Sequence, residues 1–223
     1  MSVQEVSQPQ AKTAFPSFNA FGLPAQGANL TASRALDVIV ASVALFFCLP
    51  ILGLIALAIR LDSQGPIIFC QRRAGQGGKL FGIYKFRSMH VMEDGDQIAQ
   101  ATKGDARVTR VGRFLRASSL DELPQLFNVL WGEMSLVGPR PHALAHDEYY
   151  SARISNYRVR HLVKPGITGW AQVKGLRGAT ATLADMQARI TLDAWYVANK
   201  SIWLDLLILA RTPIEVLRRR NAC

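Results

Sequence analysis

The sequence predicts an α/β fold, mostly helical, seated in a membrane. Its parts are an N-terminal membrane helix interrupted by proline, a short β-hairpin, and amphipathic helices suited to an interface. Three observations carry this reading. Residues Val38 to Ile59 hold no charged side chain. Residues 67–89 form two strand-like runs about a glycine-rich turn,. The remainder mixes short apolar runs with Arg, Lys and Trp, in a chain of 223 residues with formal net charge +10 and 49% hydrophobic residues. Such a chain suits a partner that is greasy and anionic at once, a bilayer surface first, with a membrane-tethered nucleic-acid binder as the other fit. Cys48, Cys70 and Cys223 are scattered and odd in number, so neither disulfides nor zinc are expected and a reducing compartment fits better,.

Residues 1–30 carry few charges and many Gln, Ser, Ala, Pro and Gly, the composition of a flexible tail,. Residues 31–62 form the membrane-inserted helix. Its uncharged run is 22 residues long, and at about 1.5 Å per residue it just matches a hydrocarbon core of about 30 Å. A cleaved signal peptide is disfavoured, because the run is too long and too far from the N-terminus. Pro50 removes one backbone hydrogen bond near the middle and favours a bend. Both a spanning and a re-entrant helix remain open, since proline is tolerated in spanning helices.

Residues 63–223 form the main domain. "IIFCQRR" and "LFGIYKFRSM" are the strands of the hairpin and "AGQGGK" its turn. The turn is no phosphate loop, because Arg73 and Leu80 break the Gly-x-x-x-x-Gly-Lys-Ser/Thr pattern. By the two-residue period, Lys85 and Arg87 share one strand face, either a solvated edge or a pair aimed at an anion. Glu93 to Asp96 is an acidic loop with no motif. Arg107, Arg110, Arg113 and Arg116, interleaved with Val108, Val111, Phe114 and Leu115, make a basic amphipathic stretch, solvated or against a membrane surface.

Next comes "SSLDELPQL", with Asp121 and Glu122 adjacent in an otherwise basic chain. Ser119 and Glu122 fit a capping box. A helix starting there would place Pro124 inside it, at a cost of about 3 kcal/mol. A helix starting near Pro124 and running to Trp131 is favoured, with the two acids just ahead of its positive end. Capping and chemistry both remain possible for the pair at this point. In "GEMSLVGPRP", Arg140 lies between two prolines that restrict the backbone, which suits bidentate phosphate recognition or a rigid connector. His142 and His146 have i,i+4 spacing on an expected helix, but no third ligand points to a metal. "KPGITGWAQVKGLRG" is a glycine-rich loop, either plain turn chemistry or a nucleotide loop, with Trp170, Gln172 and Arg177 as candidate pocket residues. The C-terminal part sets Trp195, Tyr196 and Trp203 beside "LDLLILA" and ends in Arg218–Arg220, an interfacial composition.

The runs "KFRSM", "SSLDELPQLFNVLWGEMSLVGPRP", "KPGITGWAQVKG" and "LDAWYVANKSIWLDL" together resemble the bacterial sugar transferases, monotopic phosphoglycosyl transferases of exopolysaccharide and glycan assembly. The resemblance covers roughly Ser33 to Leu217. It implies transfer of sugar 1-phosphate from a UDP-sugar, a hexose such as glucose or galactose, to polyprenyl (undecaprenyl) phosphate with release of UMP. It implies Asp121 as covalent nucleophile and Glu122 as its dyad partner. Lys85, Arg116, Arg140 and Asp193 match polar active-site positions, and Mg²⁺ is implied near Asp121. It further implies a re-entrant helix broken at a proline, which Pro50 matches, and the minimal form of the family, since no further membrane segment precedes Arg34. The catalytic domain is expected on the cytoplasmic face of the bacterial inner membrane, where UDP-sugars and Mg²⁺ are found, and the basic bias after Arg60 agrees. Nucleic acid is not expected as a partner, and oligomeric state is not legible.

Physical chemistry supports that account. A carboxylate can split one transfer into two displacements. To attack, Asp121 must be ionised, and a helix N-terminus with nearby arginines is expected to lower its pKa. Fixed cations and Mg²⁺ would screen the incoming phosphate. Two alternatives stay open: direct attack by the lipid phosphate with no adduct, and a non-catalytic basic protein anchored in the membrane that binds anionic lipid or nucleic acid.

Overall fold

A computed structural model of the protein describes residues 27–90, 104–178, 180 and 182–217. The expected tail up to residue 26, the Glu93–Asp96 loop and Arg218–Arg220 lie outside the described residues.

The first helix, α1 (Gly27–Asp62), is assigned helical throughout, Pro50 included. Apolar side chains surround it, so its orientation is decided by contacts rather than by a polar stripe. Ser33, Asp37, Ala41, Leu45, Ile55 and Ile59 are buried, with Leu52 packed beside them. These positions recur at helical spacing and form one face along the helix. On the other face Val43, Phe46, Phe47, Leu49, Leu54 and Leu57 stand exposed. The stretch Thr31–Asp62 is long and apolar enough to cross a membrane.

Strands β1 (Ile68–Ala74) and β2 (Leu80–Phe86) pair antiparallel, with Ile68 opposite Phe86 and Ala74 opposite Leu80. Gly77 and Gly78, at φ 65° and 76°, close the turn in left-handed conformations that glycine adopts without cost,. Helix α2 (Arg110–Ser118) is capped by Thr109, whose hydroxyl accepts from the Gly112 amide at 2.9 Å,. Of its expected basic face, Arg110 and Arg113 are exposed, as is Phe114, while Leu115 is buried. Helix α3 (Gln125–Trp131) follows Pro124.

Two further strands were not expected. β3 (Ser135–Val137) and β4 (Gly166–Thr168) pair in parallel, Ser135 with Gly166 and Val137 with Thr168. The expected glycine-rich loop therefore contains β4 and a short helix, α5 (Trp170–Val173). A side chain at Gly138 or Gly166 would strike the opposite backbone, so glycine is required for this close approach. The pairing sets "GPRP" directly beside "KPGITG". Helix α4 (Leu144–Ser151) starts after His142, which is therefore not on a helix with His146. Helices α6 (Leu183–Asn199) and α7 (Ile202–Leu217) complete the domain. The main core joins α1 (Ala41, Leu45) to Ile83, Val129, Leu136, Tyr196 and Ile208. A second cluster joins Ile55 and Ile59 to Phe86 and Leu115.

Candidate active site

The acid pair occupies a tight 3-10 turn, Leu120–Glu122, between α2 and α3. Ser119 ends α2 in the left-handed region at φ 61°, the one non-glycine residue there among those described,. Its side chain caps nothing; the hydroxyl instead accepts a hydrogen bond from Arg177. The capping-box explanation for the acids therefore does not hold. Asn128 ties the turn to the hairpin: fully buried, it donates to the Gly82 carbonyl at 2.7 Å and accepts from the Tyr84 amide at 3.1 Å. Lys85, one residue further along β2, is thereby aimed at the acids.

Glu122 is held on three sides. Lys85 Nζ donates to Oε1 at 2.8 Å, Arg140 Nη1 to Oε2 at 3.0 Å, and Arg140 Nη2 to Oε1 as well. Burial opposes its charge, but Arg140 and then Lys85 outweigh that, holding the carboxyl well below the usual range,. Burial in turn lowers the Lys85 ammonium against the pull of Glu122.

Asp121 is different. It is 8% exposed and accepts no hydrogen bond from any described residue. Burial first, then the charge of Glu122, pushes its pKa up to about 6, against Lys85, Arg116 and Arg140. The sequence reading expected the reverse. The cause is burial, which with the neighbouring charge of Glu122 outweighs Lys85, Arg116 and Arg140; Lys85 and Arg140 are themselves bonded to Glu122,.

Other expected site residues lie elsewhere. Arg87 was expected beside Lys85 as an anion ligand. It is buried and donates to the carbonyls of Ser63 and Gln64 and to the Ser63 hydroxyl. Strand β2 ends at Phe86, so the two-residue alternation no longer governs position 87, and Arg87 secures the exit of α1. Gln172 donates to the Ile167 carbonyl at 3.2 Å within its own loop. Arg177 reaches the dyad turn through Ser119. Asp193 is 3% exposed and lies 3.3 Å from Arg160; burial raises it to about 6, against Arg160 and Arg189. His142 meets Tyr157 at 2.7 Å and also Arg160. Sequence reasoning missed Ser119's grip by Arg177, Asn128 and Arg160. An asparagine or arginine in a helical or basic run carries no local mark of these long-range contacts.

The residues present fit Mg²⁺, an ion that needs only one or two protein carboxylates beside substrate phosphates. Asp121 has an unbonded carboxylate; Glu122 has none to spare. Among the described residues no group of three or more His, Cys, Asp and Glu side chains could form an all-protein cage.

Comparison with known proteins finds relatives over most of the chain. The family model described as "Bacterial sugar transferase" matches residues 28–219. A Klebsiella pneumoniae protein named "UDP-glucose:undecaprenyl-phosphate glucose-1-phosphate transferase" is 52% identical over 91% of this chain and 43% of its own length. A Caulobacter vibrioides protein of the same name is 56% identical over 85% of this chain and 71% of its own. A Salmonella typhimurium "Undecaprenyl-phosphate galactose phosphotransferase" is 41% identical over 85% of this chain and 41% of its own. This chain thus spans less than half the length of two of these relatives.

Proposed function

We infer the reaction from the premise that this chain belongs to the bacterial sugar transferase family: it transfers glucose 1-phosphate from UDP-glucose to undecaprenyl phosphate and releases UMP. The names of its relatives supply donor and acceptor, and glucose is the sugar named for the Klebsiella and Caulobacter relatives. One observation carries the mechanism. Of two adjacent carboxylates, Glu122 is bonded by Arg140 and Lys85, while the buried Asp121 is left bare among the same cations.

An ionised Asp121 oxygen attacks the β-phosphorus of the donor. The bond from that phosphorus to the bridging oxygen breaks, and UMP leaves with the electron pair. An oxygen of the lipid phosphate then attacks the same phosphorus, and Asp121 departs as a carboxylate. Bound Mg²⁺ would neutralise diphosphate charge beside Asp121. Glu122 stays charged throughout and holds Lys85 and Arg140 where negative charge develops on the transferring phosphoryl group. Arg116 of α2 adds a longer-range positive charge at Asp121.

The membrane reading rests on α1. Near its start Arg34 donates to the carbonyls of Val129 and Leu130, and Asp37 accepts from the Leu136 amide at 2.8 Å. At its end Asp62 accepts from the Val111 amide at 3.0 Å. Both ends are thus bound to one domain, which supports a re-entrant, monotopic helix over a spanning one. Its bare outer face would sit in lipid, with Trp203 of α7, 79% exposed, at the same boundary,. A cytoplasmic orientation at the inner membrane follows from where the donor is found.

Intact-mass analysis of the protein in nanodiscs tests this, with Mg²⁺ and single UDP-sugars and no acceptor. A hexose-phosphate adduct from UDP-glucose, absent in Asp121→Asn, is expected. UMP release that requires undecaprenyl phosphate and leaves no adduct would favour direct attack by the lipid phosphate.

A further inference from the structure

Behind the Glu122 clamp lies a second layer of buried charge. Its centre is Arg160, whose side chain is 2% exposed. Nη2 donates to the main-chain carbonyl of Arg140 and lies 3.3 Å from Asp193 Oδ2. Nη1 donates to the Tyr157 hydroxyl at 3.1 Å and to Nδ1 of His142. The Tyr157 hydroxyl donates in turn to Asp147 at 2.6 Å. Because Nδ1 of His142 faces a guanidinium donor, it must accept. Burial and Arg160 hold that imidazole neutral, so its proton sits on Nε2,.

The bond to Arg140 matters because of where it falls. Arg140 lies between Pro139 and Pro141, neither of which can donate a main-chain hydrogen bond,. The Gly166 amide holds the Pro139 carbonyl at 3.0 Å. Arg160 holds the next carbonyl, that of Arg140. Two carbonyls in succession are therefore fixed, one by β4 and one by a buried guanidinium. The Arg140 side chain leaves from this pinned peptide to grip Glu122.

We propose that Arg160 is a positioning residue for the phosphosugar transfer: it fixes the peptide from which Arg140 reaches Glu122, and Asp193 acts through it. Arg160 touches neither carboxylate of the dyad. Lysine in its place keeps the charge but offers a single nitrogen, unable to serve Arg140, Asp193 and the Tyr157–His142 pair together.

The inference rests on the transferase reading, and a double-mutant cycle on the full chain in nanodiscs separates the two. UMP release with UDP-glucose and undecaprenyl phosphate is measured for wild type, Arg160→Lys, Arg140→Lys and the double variant. Wild type without UMP release speaks against the transferase reading itself. With an active wild type, Arg160→Lys should lower kcat/KM by at least about tenfold, the scale of a small misplacement of a binding group. In the Arg140→Lys background the same change should cost less than about threefold, because the group being positioned is already altered. Thermal stability should fall equally in both backgrounds, which distinguishes positioning from a fold defect. Equal rate losses in both backgrounds would overturn the proposal. Should Arg160→Lys fail to fold, Asp193→Asn, which frees the same guanidinium from its other side, enters the cycle with the same two outcomes.

Discussion

Arg140 grips Glu122 with both terminal nitrogens, Nη1 donating to Oε2 at 3.0 Å and Nη2 to Oε1, while the adjacent Asp121 receives neither. Adjacent carboxylates are thereby given opposite conditions: Glu122 stays charged as an anchor, while the pKa of Asp121 is pushed up to about 6. Glu122→Gln tests this coupling. Removing the anchor's charge leaves the partly buried Lys85 and Arg140 poorly paired, so stability should fall by about 2 kcal/mol,. Asp121 should lose a repelling neighbour and gain two free cations, moving its pKa down from about 6. Denaturant unfolding reads the first effect and the acid limb of the pH–rate profile the second. An unmoved acid limb would show that the two carboxylates are not coupled.

Asp121→Asn should abolish turnover and yet stabilise the protein. The native pKa of about 6 lies above the ordinary aspartate value of 3.8, so the folded state binds the extra proton. The contribution of this group to stability is fully present below about pH 4 and is lost as pH rises through about 6. Variant and wild type should melt together near pH 4. Near pH 7 the variant should be more stable by on the order of 2 kcal/mol. Calorimetry at the two pH values checks both sign and size.

On the proposed mechanism the attacking form of Asp121 is the ionised one, so activity should rise with pH through about 6,. Asp193 is also raised to about 6, so the wild-type limb alone does not name the group. In Asp193→Asn the limb should persist with a lower plateau. A limb abolished in that variant would assign it to Asp193.

Arg87 and Lys85 should separate cleanly. Arg87→Gln removes bonds to Ser63 and Gln64, lowering the melting temperature with little change in the donor KM. Lys85→Gln removes a cation from Glu122 and should lower kcat by roughly a hundredfold or more, on the scale of a lost electrostatic stabiliser. Melting curves and UMP-release kinetics on the same preparations decide it.

If α1 is re-entrant, both its ends face one side. In a cysteine-free background, Ala32→Cys and Gln64→Cys should be labelled by an impermeant thiol reagent from the same side of sealed vesicles. Labelling from opposite sides would establish a spanning helix.

The local readings that survived are those set by covalent geometry and short-range spacing. An uncharged run of 22 residues defined α1, paired strand-like runs about glycines defined the hairpin, and a proline suited to a helix start marked the beginning of α3,. The motif string also identified the family. Readings that depended on a neighbour far away in sequence failed. The direction of the Asp121 shift could not be read, because it is set first by burial, which only the closed chain produces, and then by the charge of Glu122. Arg87 was misplaced because alternation holds only while a strand continues, and strand ends are settled by pairing. The parallel β3–β4 pair, which carries Arg140 to the dyad, joins segments about thirty residues apart by backbone bonds that leave almost no side-chain pattern,. By itself, then, the sequence determined the chemical groups, the long apolar helix and the family. Only the tertiary structure decided which carboxylate is paired and which is bare, because ionic partners are chosen by distance and burial, and both arise when the chain closes on itself.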